Sequence, residues 1–322
     1  MHLSIPDFKS IMKQLVIFCC IIVLSISFAK AQDNEVYIFS YFKHNGEDGL
    51  HLAYSKDGYR FTALSNDSSF LRPRVGKDKL MRDPCIIRGA DGLFHMVWTV
   101  SWGDKGIGYA SSSDLLHWSE QRYLPVMQHE TGALNCWAPE ITYDAKNKQY
   151  IIYWASTVPG RFAATDSSGD ENYNHRIYYT TTKDFIEFSP SKILYDKGFN
   201  VIDATVQQNG KKYIMFLKDE TKRPTPQKNI RIALSNKINS GYSAPSKSIT
   251  GNYWAEGPTA VKIKGQWIVY FDEYTRHRYG AVVSSDLEHW TDISDKISFP
   301  EGARHGTVFV ITQKEFESFF VR

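Results

Sequence analysis

Cysteine, basic segments and long hydrophobic runs are all scarce in this chain of 322 residues. It contains four cysteines and no Cys-x-x-Cys pair, and only Cys85 and Cys136 lie beyond residue 31. Neither a disulfide framework nor a cysteine-based zinc site is therefore expected. A formal net charge of +3 without a long basic run also argues against nucleic acid or an anionic membrane surface as a partner.

The one long hydrophobic run lies close to the N-terminus. Residues 15–28 are largely apolar, and Ala29-Lys30-Ala31 supplies the small residues that a signal peptidase site requires. The run is too short to span a membrane as a helix, so no membrane span is expected. We predict that residues 1–31 are a signal peptide, with Met12 as an alternative start. The remaining chain would then be exported to the periplasm or the extracellular space.

Aromatic residues are abundant, at 14% of the chain, and many of them belong to an internal repeat. An alternating strand, a Ser/Thr-x-Asp turn and a final aromatic residue recur at residues 50–61, 107–118, 177–188 and 279–290. A shorter copy covers residues 230–236, and a strand rich in aromatic residues precedes every copy. The turn aspartates are expected to bond backbone amides, which is a structural role.

Repeated strands without intervening helices predict an all-β fold, a five-bladed β-propeller. A further short strand precedes four of the five aromatic-rich strands, and its counterpart in the fifth repeat appears at the other end of the chain, at residues 305–311. We therefore expect this C-terminal inner strand to join the N-terminal strands and close the ring, which leaves few strand edges free. Residues 32–322 are predicted to form this single domain.

The first residues of the five inner strands are the candidate functional residues. Inner strands line the channel of a propeller, and their predicted openings hold Asp83, Glu140, Asp203, Glu256 and His305. Repulsion and lost hydration make such a cluster costly for a purely structural axis. Two carboxyl groups that flank a sugar bond, with a third group tuning one of them, are what glycoside hydrolysis requires. The alternative is an axial site for a hard cation, although histidine is a poor Ca²⁺ ligand.

Motifs at these strands resemble those of glycoside hydrolase family 43. They are Arg82-Asp83-Pro84-Cys85-Ile86, Trp137-Ala138-Pro139-Glu140-Ile141, Val201-Ile202-Asp203-Ala204-Thr205, Ala255-Glu256-Gly257-Pro258 and Arg304-His305-Gly306. The resemblance implies an inverting glycosidase with Asp83 as general base, Asp203 as modulator of the acid's pKa, and Glu256 as general acid. Glu140 stands where the family usually has Asp. The resemblance implies no required cofactor; it makes His305 a candidate ligand for an axial Ca²⁺.

Side chains beside the inner-strand openings are candidates for binding the sugar. Trp102, Trp137 and Trp254 are predicted either to stack on a sugar ring or to pack within a blade. Arg304 is predicted to bind a hydroxyl or a carboxylate, and Glu140 and His305 complete the substrate-binding set.

The resemblance favours exo-acting release of a terminal pentose, α-L-arabinofuranose, from a plant-type oligosaccharide or polysaccharide. A β-xylosidase, a β-galactofuranosidase or a galactosidase of the same fold is the first alternative. A glycan-binding propeller without catalytic activity is the alternative from another class.

Overall fold

The structure, a computed structural model, describes residues 35–320, so the predicted signal peptide lies outside the described part. Residues Tyr37–Phe309 form one compact unit. A second unit, Met1–Val36 with Val310–Arg322, is described at residues 35–36 and 310–320, where Thr312 caps the short helix Gln313–Glu317. No helix within the described residues is long and apolar enough to cross a membrane.

The described strands form five small antiparallel sheets, each of which is one blade. The first three strands are β1 (Glu35–Phe42), β2 (His51–Ser55) and β3 (Thr62–Ala63). Blade 1 contains β4 (Arg82–Arg88), β5 (Phe94–Thr99), β6 (Ile107–Ser112) and β7 (Arg122–Leu124). Blade 2 contains β8 (Trp137–Asp144), β9 (Gln149–Thr157), β10 (His175–Thr182) and β11 (Lys192–Tyr195).

The remaining blades complete the ring. Blade 3 contains β12 (Val201–Asn209), β13 (Lys212–Asp219) and β14 (Asn229–Ser235). Blade 4 contains β15 (Glu256–Ile263), β16 (Gln266–Glu273), β17 (Arg278–Ser284) and β18 (Thr291–Asp292). The last strand, β19 (Arg304–Thr312), lies beside β1 in the order β19-β1-β2-β3 and forms blade 5. The predicted five-bladed propeller and its closure by the C-terminal inner strand are both confirmed.

The repeated Ser/Thr-x-Asp element forms the turn after the third strand of a blade. In blade 1, the Asp114 carboxylate accepts hydrogen bonds from the backbone N–H groups of Leu116 and His117, at 2.9 and 2.8 Å. The Ser112 hydroxyl accepts from the N–H of Leu115 at 2.8 Å. These bonds satisfy backbone donors that the turn would otherwise leave unpaired, which confirms a structural role for the aspartate.

Blade 3 lacks a regular fourth strand. Backbone N–H groups of Ser243, Ser246 and Ile249 donate to carbonyls of β14, so this segment runs alongside the strand. Pro245 interrupts the segment, and a proline has no N–H with which to continue a ladder. In this blade, which contains the degenerate repeat, an irregular segment therefore takes the place of a fourth strand beside β14.

The inner strands of blades 1 to 4 each contain a bulge close to their first residue. Pairing with the second strand shifts between Arg82 and Cys85, between Trp137 and Glu140, between Ile202 and Thr205, and between Glu256 and Thr259. The first residue inside each bulge has a positive φ: Asp83 (52°), Ala138 (45°), Asp203 (53°) and Gly257 (58°). We expected Asp83, Glu140, Asp203 and Glu256 to occupy the same position in their inner strands. This expectation is wrong, because only Asp83 and Asp203 are the bulge residues of their strands.

In register, Glu256 lies one residue before the bulge position and Glu140 lies two residues after it. A bulge adds an unpaired residue to one strand and changes the direction of the side chains around it. Asp83 and Asp203 therefore occupy equivalent places on the ring, whereas Glu256 and Glu140 approach the axis at two other levels.

The two cysteines of the described residues, Cys85 and Cys136, are buried free thiols. Cys85 lies in the inner strand of blade 1 and Cys136 directly precedes that of blade 2. Both belong to the apolar cluster between these blades, together with Trp154 and Tyr178. They pack as small apolar side chains.

Candidate active site

A cavity of about 240 Å³ lies where the inner strands begin. Its lining includes seven of the nine predicted site residues: Asp83, Trp102, Trp137, Asp203, Glu256, Arg304 and His305. The sequence did not single out the other lining residues, which are Arg82, Thr99, Ala138, Ile202, Lys218 and Glu220. Three carboxyl groups predicted to be catalytic are therefore brought to one cavity.

A larger cleft of about 470 Å³ lies elsewhere, lined by Leu124, Pro125, Val126, His129, Thr180, Phe188, Ser189, Pro190 and Ser191. None of these residues carries a carboxyl group, so the cleft offers no acid and base pair for glycoside hydrolysis. The smaller cavity is the candidate active site.

Glu140 and Trp254, both predicted to bind substrate, are absent from the lining of the cavity. Glu140 is buried, and the hydroxyls of Tyr153 and Thr307 donate to its carboxylate at 3.4 and 3.5 Å. The Trp254 ring packs 6.0 Å from the ring of Tyr274. Glu140 belongs to the buried axis, because the bulge in β8 moves it two residues past the cavity.

Asp83 and Asp203 are held by different donors. The Thr99 hydroxyl donates to Asp83 Oδ2 at 2.7 Å, and His305 Nδ1 lies 3.3 Å from Asp83 Oδ1. Asp203 Oδ2 accepts from the backbone N–H of Gly257 at 3.0 Å. Gly257 has φ of +58°, and a Cβ atom there would lie 2.4 Å from His305 Cγ. Glycine is therefore required at this position by both its conformation and the close approach of the imidazole.

Glu256 lies between two cations. Lys218 Nζ donates to Glu256 Oε2 at 3.0 Å, and Arg304 Nη2 donates to Glu256 Oε1 at 3.2 Å. Arg304 is itself positioned by Asp272, whose carboxylate accepts from Nε at 2.6 Å. Asp272 pairs with Glu256 across β15 and β16, and both carboxyl groups bond the same guanidinium.

Lys218 and Asp272 were missed by sequence reasoning, and each is the next-to-last residue of the second strand of its blade. Lys218 pairs with Ile202 in blade 3, as Thr99 pairs with Arg82 in blade 1. These second-strand residues provide the donors and acceptors behind the inner-strand carboxyl groups. Their signal in the sequence was a charged residue at the end of an otherwise apolar strand.

The electrostatics of the cavity differ from one carboxyl group to the next. Burial, together with the charges of Glu256 and Asp83, raises the pKa of Asp203 to about 6, although His305 and Lys218 oppose this shift. Burial also favours the neutral form of Glu256, but the neighbouring Lys218 and Arg304 outweigh it, so the pKa of Glu256 lies below its usual range. The proton of this cluster is therefore held more readily by Asp203 than by Glu256.

His305 carries the opposite charge at the centre of the site. Burial alone would lower its pKa, but the surrounding carboxylates of Asp203, Asp83 and Glu256 raise it above its usual value. The imidazole therefore favours its cationic form among the acids.

Within residues 35–320, no group of three or more His, Cys, Asp or Glu side chains is arranged to hold a metal ion. The axial Ca²⁺ suggested for His305 stays a prediction.

Lys218 also belongs to a chain of alternating charges that leads away from Glu256. Its Nζ lies 2.6 Å from Glu220 Oε2, and Glu220 Oε1 accepts a hydrogen bond from Lys228. Lys228 Nζ in turn lies 2.9 Å from Asp170 Oδ2. Both lysines are buried, and a buried charge of this kind is tolerated only with such close partners. Lys218 therefore has a second acceptor available if its bond to Glu256 breaks.

One wall of the cavity is aromatic. Trp102 and Trp137 meet edge to face, with ring centroids 5.4 Å apart and an interplanar angle of 88°. Trp137 Nε1 donates to the carbonyl of Trp102 at 3.0 Å, and Trp102 Nε1 donates to Asn45 Oδ1 at 3.2 Å. Trp102 remains 45% exposed. Rings fixed in this way present a rigid apolar face to a ligand, which suits stacking on the C–H groups of a sugar.

Replacing Glu140 by glutamine is expected to stabilise the protein increasingly as the pH rises. Burial raises the pKa of Glu140 to about 7 from an ordinary 4.5. Between these values the unfolded chain ionises Glu140 while the folded protein keeps it protonated, so its contribution to wild-type stability is lost as the pH rises. Glutamine does not ionise, and the difference between the two proteins should grow by on the order of 3 kcal/mol over this interval.

Thermal unfolding of the two proteins at a series of pH values from about 4 to 8 measures this difference. Glu120→Gln is the matched control, because Glu120 is exposed. A constant difference between wild type and Glu140→Gln over the whole range would contradict a raised pKa for the buried carboxyl.

The fold is a five-bladed propeller, and its cavity brings together carboxyl groups of the kind that glycoside hydrolysis requires. A family model described as a probable glycosyl hydrolase domain, related to glycoside hydrolase family 43, matches residues 32–317. The chain therefore belongs to this family of probable glycosyl hydrolase domains.

A curated relative and two solved structures are similar to this chain. An α-L-arabinofuranosidase from Bifidobacterium longum subsp. longum is 24% identical over 188 residues, which cover 51% of this chain and 17% of that protein. The match thus spans less than a fifth of the relative's length.

Among solved structures, a thermostable family-43 glycoside hydrolase superposes with a TM-score of 0.54 at 16% identity, covering 71% of this chain and 82% of that one. An exo-β-1,3-galactanase from Phanerochaete chrysosporium, solved with β-1,3-galactotriose, gives a TM-score of 0.51 at 13% identity, over 81% of this chain and 54% of that one. At these identities the likeness supports the fold.

Proposed function

We propose that this glycosidase is exo-acting and inverting, and that it releases a terminal α-L-arabinofuranose from an oligosaccharide or polysaccharide. The observation that carries the proposal is the meeting of Asp83, Asp203 and Glu256 at one cavity of about 240 Å³. A small cavity with an aromatic wall suits a single terminal sugar ring. The arabinofuranosidase from Bifidobacterium supports the choice of sugar. Export by the predicted signal peptide would bring the enzyme to such a substrate.

Asp83 is proposed as the general base. One oxygen of its carboxylate accepts from the Thr99 hydroxyl at 2.7 Å, and the other lies 3.3 Å from His305 Nδ1. These two contacts fix the orientation of the carboxylate. A carboxylate held in this way can accept a proton from a water molecule that attacks the anomeric carbon. An inverting pair must leave room for that water, which requires carboxyl groups roughly 6.5–9.5 Å apart.

Glu256 is proposed as the general acid, and Asp203 as the group that tunes it. Glu256 needs a proton to give to the leaving oxygen, yet Lys218 and Arg304 keep its pKa below the usual range in the free enzyme. Lys218 already lies 2.6 Å from Glu220, so it can turn to that partner when substrate excludes water from the cavity. Glu256 then loses one of its two cations, so its pKa rises and it can hold the proton that it gives to the leaving oxygen.

A screen of aryl glycosides tests the sugar specificity. The 4-nitrophenyl derivatives of α-L-arabinofuranose, β-D-xylose, β-D-galactofuranose and β-D-galactose are compared by kcat/KM, and the arabinofuranoside is expected to be the best substrate. The anomeric form of the first product, observed by NMR, tests inversion. A preference for another sugar would contradict the proposed specificity, and binding of oligosaccharides without any turnover would favour the glycan-binding alternative.

Replacing Lys218 by methionine should move the pH of maximal kcat/KM upward. Loss of a positive charge 3.0 Å from Glu256 Oε2 removes an interaction that favours the ionised acid, so Glu256 keeps its proton to higher pH. An opposite charge at this distance shifts the pKa of a carboxyl by roughly 1–3 units, and the optimum should move in proportion. The pH dependence of kcat/KM on the best aryl glycoside measures the effect.

The matched control is Lys228→Met, which removes the other buried cation bound to Glu220 without touching Glu256. Its pH optimum should remain close to that of the wild type. Lower activity in Lys218→Met with an unchanged optimum would mean that Lys218 only supports the structure and does not tune the acid.

A further inference from the structure

Four cationic side chains line the cavity, and three of them have a carboxylate partner. Lys218 and Arg304 both bind Glu256, and His305 lies against Asp83. The fourth is Arg82, which has no carboxylate within 4.0 Å among residues 35–320; its polar partner is the side-chain oxygen of Asn45. Among the described residues, Arg82 is therefore the one cation of the cavity that has no carboxylate in contact with it.

Arg82 is nevertheless held in a defined position. Its guanidinium carbon lies 4.6 Å from the ring centroid of Phe42 and 4.3 Å from that of Trp102. Nη1 donates to Asn45 Oδ1 at 3.0 Å, and the same oxygen accepts from Trp102 Nε1 at 3.2 Å. Two aromatic rings and one amide thus fix a partly buried guanidinium whose other N–H donors remain available.

An arginine held in this way can bind an anion with little rearrangement of its side chain. The guanidinium carries five N–H donors in a planar fork that matches a carboxylate in two parallel hydrogen bonds. Partial burial of a charge without a counterion costs free energy, and a bound anion offsets this cost. Sugar hydroxyls accept from a guanidinium too, but they supply no charge.

We propose that Arg82 binds the carboxylate of a uronic acid residue in the substrate. This residue lies against Trp102 at the edge of the cavity, beside the sugar that is cleaved, so the preferred substrate is an acidic glycan. The inference builds on the proposed glycosidase site, but binding of a uronic acid can be measured without turnover. It assigns to Arg82 a role in substrate selection, apart from the three carboxyl groups that carry out the reaction.

Isothermal titration with sodium glucuronate and with glucose tests the proposal, because the two sugars differ at one carboxylate. At low ionic strength the wild-type protein should bind glucuronate at least about tenfold more tightly, which corresponds to 1.4 kcal/mol. The preference should decrease as NaCl is added, since a half-exposed ion pair is screened. Arg82→Gln should abolish it, and Arg82→Lys should retain only part, because the charge remains while the planar fork is lost.

Arg60→Gln is the charge-matched control; Arg60 is exposed in the segment after β2, and its variant should keep the full preference. Equal or undetectable binding of both sugars by the wild type overturns the proposal, as does a glucuronate preference that survives in Arg82→Gln or is undiminished in Arg82→Lys. Turnover of aryl arabinofuranosides without this preference overturns the role of Arg82 alone. An Arg82-dependent preference without any turnover supports the role of Arg82 and contradicts the proposed reaction.

Discussion

Replacing Asp83 by asparagine should lower kcat on every substrate by on the order of 10³-fold. Asparagine keeps the shape of the side chain and can still accept the 2.7 Å hydrogen bond from Thr99, but it cannot take a proton from water. The base acts on the attacking water, on the side of the sugar away from the leaving group. The loss should therefore be the same for an aryl glycoside and for an oligosaccharide with the same terminal sugar.

Measurement of kcat and KM on these two substrates tests the role of Asp83. Asp295→Asn is a suitable control, because the Asp295 side chain is 94% exposed and lies outside the cavity lining. Thermal unfolding verifies that Asp83→Asn is folded. A loss smaller than about tenfold, or one that depends strongly on the leaving group, would assign the base to another residue.

The blade organisation was readable from the sequence because each blade repeats a local device. The turn of Ser112 and Asp114 bonds its own backbone within a few residues, and Ser284 and Asp286 do the same in blade 4. Interactions over so short a range are encoded in adjacent residues, and their spacing reveals the repeat. The inner strand at the C-terminus was predicted from the same repeat, because the repeat at the N-terminus lacked its own inner strand.

The register of the inner strands was not readable in this way. It depends on bulges at which Asp83, Ala138 and Asp203 adopt positive φ, a conformation that is unfavourable for residues other than glycine. Gly257 is the one bulge residue whose type hints at it. The surrounding pairing imposes the conformation on the others, so sequence reasoning placed Glu140 at the cavity when the bulge in β8 moves it into the buried axis.

The residues behind the acids were missed for a related reason. Lys218 and Asp272 lie next to last in β13 and β16, strands that are otherwise mostly buried and apolar. A charge at a strand end is more often the start of a solvated loop. Only the approach of neighbouring blades shows that Lys218 is buried against Glu256 and that Asp272 is buried behind Arg304.

Replacing Glu256 by glutamine should separate substrates by their leaving group. Glutamine cannot donate the proton that an alkoxide needs in order to leave, so hydrolysis of an oligosaccharide should fall by about 10²–10⁴-fold. A 4-nitrophenolate leaves as a stable anion and depends far less on protonation, so the aryl glycoside should lose much less. This pattern distinguishes Glu256 from Asp83, whose loss should be independent of the leaving group.

The comparison uses kcat/KM for aryl glycosides of increasing leaving-group pKa, in wild type and in Glu256→Gln. In the variant, kcat/KM should fall steeply as the pKa of the leaving group rises, whereas in the wild type it should fall only slightly. Asp272→Asn is the informative control: Asp272 also bonds Arg304 but lies outside the cavity lining, so its variant should not steepen the dependence. Equal losses on all leaving groups in Glu256→Gln would remove Glu256 from the role of acid. Asp203, whose pKa is raised to about 6 by burial and by its acidic neighbours, would then be the carboxyl best placed to donate the proton.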